Sequence, residues 1–113
     1  MNLTDFTNIK DKKTISINLK DYLGKDCNVF SGRNSGTHLR NILKLNNLDN
    51  QENIIVEFNV SDKIYSINSG FFLNLFGNSI RKLGKKEFEN KYLFIGENTV
   101  VIKRMKSYIN DAL

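Results

Sequence analysis

The sequence has no proline, one cysteine and one histidine, and each shortage removes a class of explanation. With no proline there is nothing to mark a stiff linker between two domains. Cys27 alone cannot close an internal disulfide, which suits a reducing compartment. His38 and Cys27 are too few for a metal site, which needs several ligands at matched spacing. The same two residues can be written as a nucleophile and its base, but no third group is in view to orient the pair. The acidic residues are scattered rather than paired for acid/base work. Neither GxxxxGK[ST] nor GxGxxG occurs, so the common phosphate-cradling loops are missing as well. No apolar run approaches the roughly 18 residues of a membrane span, and Met1 to Lys13 lacks the apolar stretch of a secretion signal. The expectation is a cytoplasmic protein that binds a partner, with no catalytic residues, no metal, no cofactor and no membrane contact.

What is present suits one domain. A chain of 113 residues with 40% hydrophobic residues and eight Phe can bury about two thirds of its unfolded surface around one core. Residues 1–13 read as a polar lead-in and residues 14–113 as the domain. The apolar spacing then changes along the chain. TISINL, Thr14 to Leu19, alternates with period two, as a half-buried strand does. Asn28 to Phe30 reads as a short second strand before the glycine-containing loop Ser31–Gly36. From Thr37, Leu39, Ile42 and Leu43 fall at helical spacing, and Asn46-Asn47 ends that helix. Ile54 to Phe58 is a nearly continuous apolar run, as in a strand covered on both faces.

A longer helix carries Phe71, Phe72, Leu75, Phe76, Ile80 and Leu83 on one side. Asn68 or Ser69 stands at its start and Gly84 at its end. Tyr92 to Ile95 makes a further strand, and Val101, Met105, Tyr108 and Ile109 a last helix. Alternation of this kind predicts an α/β domain of about four strands, a largely parallel or mixed sheet, with three helices packed on it.

Two helix starts hold the candidate sites. In the first, Arg33, Gly36 and Arg40 could form an anion-binding cradle, because small residues let N–H groups converge where a helix dipole is positive. An ordinary strand-to-helix turn capped by Ser35 or Thr37 explains the same residues. In the second, Ser66, Asn68, Ser69, Gly70, Phe71 and Phe72 follow a buried strand, at the end of a parallel sheet where sites form. Capping by Asn68 or Ser69 is the plainer reading there. A third feature is charge. Between Arg81 and Lys106, eight basic residues (Arg81, Lys82, Lys85, Lys86, Lys91, Lys103, Arg104 and Lys106) face only Glu87, Glu89 and Glu97, and this stretch carries the whole net charge of +5. Such a field attracts nucleic acid or an acidic protein face.

The stretch from Ile54 to Gly77, reading IIVEF, SINSGF and FLNLFG, resembles the STAS-like family, small bacterial relatives of the sulfate-transporter and anti-sigma-factor-antagonist domain. Arg33-Asn34-Ser35-Gly36 matches the family's Arg-x-x-Gly before its first helix, Arg40 lies in the Leu-Arg that follows, and Leu83-Gly84 and the strand at Tyr92 to Ile95 fall in order. The resemblance covers Thr14 to Leu113. It implies a four-stranded sheet backed by helices and a non-catalytic, regulatory role in protein–protein switching. The implied partner is a GHKL-type ATPase that phosphorylates a serine at the second helix start. In the antagonists that motif is Asp-Ser-Ser/Thr-Gly with the first serine as acceptor. Here Ile67-Asn68-Ser69-Gly70 places Asn68 at the acceptor position, leaving Ser69 or Ser66 as substitutes. Two other readings stay open: a nucleic-acid or nucleotide-phosphate binder using the basic residues, and a free-standing inhibitor, mobile-element-encoded, of a host enzyme.

Overall fold

The computed structural model describes residues 12–113; of the polar lead-in, residues 1–11 lie outside the described residues. Strands β1 (Lys13–Asn18), β3 (Ile54–Asn59) and β5 (Tyr92–Ile95) form an all-parallel sheet in the order β1-β3-β5. A separate parallel ladder joins β2 (Val29–Phe30) to β4 (Ser66–Ile67). The helices are α1 (Arg33–Leu43), α2 (Leu45–Asn50), α3 (Ser69–Leu83), α4 (Lys85–Lys91) and α5 (Thr99–Tyr108), with 3-10 turns at Leu19–Tyr22 and Ile109–Ala112.

The α/β class is as the alternation predicts; the counts differ. Five helices replace three because two positive-φ residues each divide a helical stretch. Lys44 (φ 56) separates α1 from α2, and Gly84 (φ 83) separates α3 from α4. The strands fall into sheets of three and two, since β2 and β4 pair only with each other. β2 is the short strand read at Asn28 to Phe30, whereas β4, two residues long, leaves no periodic trace. The reading of Asn46-Asn47 as a helix end is also corrected, because both lie within α2.

Register places the core. Ile15 pairs with Val56 and Ile17 with Phe58, while Val56 pairs with Tyr92 and Phe58 with Phe94. Paired residues of a parallel ladder share a face, so these side chains all point at α3. There Phe58, Phe72, Phe76, Phe88, Tyr92 and Phe94 form one aromatic cluster, several of its ring pairs edge-to-face at 5.1 to 6.1 Å. The opposite face carries Thr14, Ser16, Ile55, Glu57 and Leu93, which are half-buried to exposed. The expectation that β3 is covered on both faces is therefore corrected: its continuous apolar run has one buried side and one partly open side.

Helices α1 and α3 lie side by side and run parallel. Arg33 meets Gly70, Thr37 meets Asn74, and Arg40 meets Leu75 and Ser79. Their closest approach is at Gly36. A Cβ there would overlap the Phe71 carbonyl oxygen and press on Asn74 Cβ at 3.1 Å and Leu75 N at 3.2 Å. Gly36 is thus a helix-contact residue inside α1, not part of a loop ahead of it. The Gly36→Ala variant is expected to lose about 1–3 kcal/mol, the usual cost of overpacking, seen as a lower urea midpoint with an unchanged slope.

Where α1, α2, α3 and β5 meet, Arg40 is buried with 5% of its surface exposed. Its Nε donates to Asn46 Oδ1 (3.1 Å), Nη1 to Leu75 O (2.9 Å) and Ser79 Oγ (2.8 Å), and Nη2 to Asn46 Oδ1 (2.7 Å) and Asp49 Oδ2 (2.9 Å). Asp49 also accepts from Ser79 Oγ at 2.8 Å and Tyr92 OH at 2.5 Å. Truncating one partner of such a pair strands a buried charge. Arg40→Leu and Asp49→Ala should each cost about 3–5 kcal/mol in denaturant unfolding. Arg40→Lys should rescue little, because one ammonium cannot reproduce the fork.

Candidate functional site

β2 and β4 run parallel as neighbours, and each feeds directly into a helix: β2 into α1, β4 into α3. Their pairing sets the two helix starts side by side at one end of the molecule. The two segments singled out separately in the sequence are therefore one surface. Arg33 bridges them, since its stem lies across Gly70, with Cγ 3.5 Å and Nε 3.8 Å from where a Cβ on that glycine would stand.

Asn68 caps α3 by accepting from Gly70 N at 3.0 Å. Asn74 Nδ2 donates back to Gly70 O at 3.0 Å and Asn74 Oδ1 accepts from Thr37 Oγ1 at 3.3 Å, so both first turns are tied together. The α1 start, Gly32, supplies no side-chain cap, and neither first turn holds an acid. Two parallel helix dipoles therefore present their positive ends together, beside an exposed guanidinium. Ser69, at the first position of α3, is exposed; Ser66 is half-buried in β4.

Four of the residues named from sequence do something else. Arg40 cannot serve an anion site, because all five of its N–H donors are committed within the fold. Gly36 is buried against α3, so of the proposed cradle only Arg33 remains free to meet an anion. Phe71 and Phe72, at 3% and 0% exposure, cannot anchor a partner. Phe71 stacks on Phe30 with centroids 4.8 Å apart, and Phe72 joins the central aromatic cluster.

The aromatic most exposed among the described residues is Tyr65, at 78%, with Val100 at 71%. With Ser66, Val101 and Arg104 they line a hollow of about 270 Å³ beside β4. Tyr65 stands on fixed backbone: its N–H donates to Asn28 O at 2.6 Å. Asn98 Nδ2 donates to Ser61 O at 2.9 Å and Ile64 O at 2.7 Å, holding the preceding turn against α5. Sequence reading passed over this residue, although a lone Tyr in the polar stretch SDKIYSINS was a usable signal.

The basic residues do not form one face. Lys82 turns to Asn50 of α2, and Arg81 donates to Ala112 O (3.3 Å) and Asn78 Oδ1 (2.7 Å). Arg104 flanks the Tyr65 hollow, whereas Lys106 lines a different one with Glu89 and β5. Lys85, Lys86 and Lys103 are exposed on α4 and α5. Cys27, ahead of β2, and His38, on α1, line one cavity. Among the described residues, no group of three or more His, Cys, Asp and Glu could hold a metal ion, and no helix is long and apolar enough to cross a membrane.

Comparison with known proteins finds no matching family model, curated protein or solved structure.

Tyr92 has its phenol pKa pushed well above the ordinary range, first by burial and then by its hydrogen bond to the Asp49 carboxylate and that group's charge. A phenol whose pKa is raised in the fold adds stability that is whole below the ordinary pKa of about 10 and is lost as pH climbs toward the folded value. In an alkaline phenolate-absorbance titration, one of the four tyrosines should ionise only as the protein unfolds. Tyr92→Phe should remove that late component.

Proposed function

We propose that this protein is a non-catalytic regulatory module that docks a protein partner through the paired starts of α1 and α3. The docking surface comprises Arg33, Asn68, Ser69 and Gly70, with Tyr65 and Val100 as its apolar edge. Two observations support this reading: a serine-bearing turn lies beside the uncapped α1 start and Arg33, and an exposed, backbone-anchored tyrosine stands at the other end of the two-residue strand β4. Tyr and Arg are the side chains that most often carry interface energy, and a rigid aromatic loses little entropy on docking.

The arrangement also suits a switch at Ser69. A phosphate there adds nearly two negative charges and three acceptor oxygens. It would stand at the α3 N-terminus with Arg33 close by, so the modified residue is drawn onto the protein's own surface. The charge that an acidic partner group would have met is then neutralised. This is the regulatory chemistry implied by the STAS-like resemblance, with Ser69 in place of the usual acceptor position, which Asn68 fills. A GHKL-type ATPase is the proposed partner.

Purified protein should capture such an ATPase from lysate of its own host, in an ATP-sensitive way. Tyr65→Ala and Ser69→Glu should each weaken capture at least about tenfold, equivalent to about 1.4 kcal/mol, while leaving the thermal midpoint within a few degrees of wild type. Capture unaffected by either substitution would sink the proposal. Recovery of nucleic acid instead, falling steeply with salt, would shift the assignment to the basic side chains of α4 and α5.

A further inference from the structure

Beside α1, and reaching Phe71 of α3, lies a cavity of about 590 Å³. Phe30, Leu39 and Phe71 are its buried apolar floor, and half-buried Leu23 and Val29 extend that surface. Tyr22 and Ile42, 43% and 50% exposed, add apolar area at its mouth. Polar groups gather along the α1 side, where Asn34, Ser35 and His38 succeed one another at helical spacing.

Among the described residues, no Asp, Glu, Lys or Arg lines this cavity. An ionised ligand would shed its hydration there without a side chain of opposite charge to replace it, which is costly. A neutral molecule has no such penalty and gains from every apolar contact with the floor. The volume falls within the roughly 300–1,000 Å³ of small-molecule sites, which are mostly apolar with a few orienting polar groups. The other larger hollows, beside Asp49–Asn53 and beside Asn59–Lys63, are lined mainly by polar side chains. The two described at β4 and β5 are less than half its size.

We infer that this cavity binds an uncharged, largely apolar small molecule of ring-like bulk. Its body rests on Phe30, Leu39 and Phe71, and one hydrogen-bonding edge meets Asn34, Ser35 or His38. The site adjoins the docking surface, sharing the first turn of α1 and Phe71 with it, but its assignment does not rest on that reading.

Cys27 makes the test direct. It is the single cysteine of the chain, it is exposed, and it lines the cavity. Its alkylation by iodoacetamide, a neutral reagent, should be slowed several-fold and saturably by 1-naphthol, a neutral bicyclic probe with one hydroxyl. Ser35 is exposed on α1, so Ser35→Trp can fill the cavity without entering the core, and it should abolish the protection. Asn34→Trp serves the same purpose if Ser35→Trp does not fold. Absence of saturable protection in the wild type, or equal protection in a folded filled variant, overturns the assignment. Because the readout is alkylation of Cys27 in the wild-type protein with no partner present, failure here would leave the partner-capture result standing, and the reverse holds as well.

Discussion

Arg40 occupies the junction at which three helices and a strand have to agree. Its five N–H groups reach Asn46 and Asp49 of α2 and Leu75 and Ser79 of α3, while Asp49 passes the connection on to Tyr92 at the start of β5. Desolvating an arginine and an aspartate is expensive, and their attraction alone does not guarantee a net gain. The gain in specificity is clearer, because the partners are spread over two other helices and, through Asp49, a strand. Among the described residues no buried side-chain polar atom lacks a hydrogen bond. Any slip of α1 along α3 would leave several unsatisfied, at about 1–3 kcal/mol each. The clamp therefore fixes the axial register of the two helices, and with it the side-by-side placement of their starts, some two turns away.

Gly36 sets the lateral distance as Arg40 sets the axial one. Without a side chain at that position, α1 lies directly on the backbone of α3 around Phe71. That closeness brings Arg33 over Gly70 and merges two candidate sites into one. The proposed docking surface thus consists of exposed polar and aromatic side chains on a frame whose geometry is determined in the interior. Tyr65 and Ser69 can be changed without touching that frame, whereas Gly36 and Arg40 cannot.

Much of the fold was legible because it rests on local pattern. Alternation in TISINL, the apolar run at Ile54–Phe58 and the spacing of Phe72, Phe76 and Ile80 each mark an element that the structure contains. What stayed hidden depends on partners distant in sequence. Arg40 reads as a free cation until Asp49 and Ser79 are placed around it. Gly36 reads as a loop residue until α3 is laid against it. Phe71 and Phe72 read as candidate anchors because a helix with apolar residues over a wide arc does not reveal how much of that arc is covered. Tyr65 was missed for the opposite reason, as a residue outside any periodic pattern. The union of the two helix starts could not have been read at all, since it is created by the pairing of two strands only two residues long.

The strand order β1-β3-β5 carries a consequence for how the chain acquires its structure. The central strand lies in the middle of the sequence, and its neighbours come from either side. Lys13 pairs with Ile54 and Val56 with Tyr92, so both ladders close across long stretches of chain. Loop closure of that length comes before the reward of pairing, and it slows folding relative to helical domains of similar size. Until β5 arrives, one edge of β3 and much of the Phe-rich face of α3 stay unpaired. A nascent chain at that stage exposes its stickiest surface to solvent, and its yield in the cell depends on how quickly the last quarter of the sequence follows.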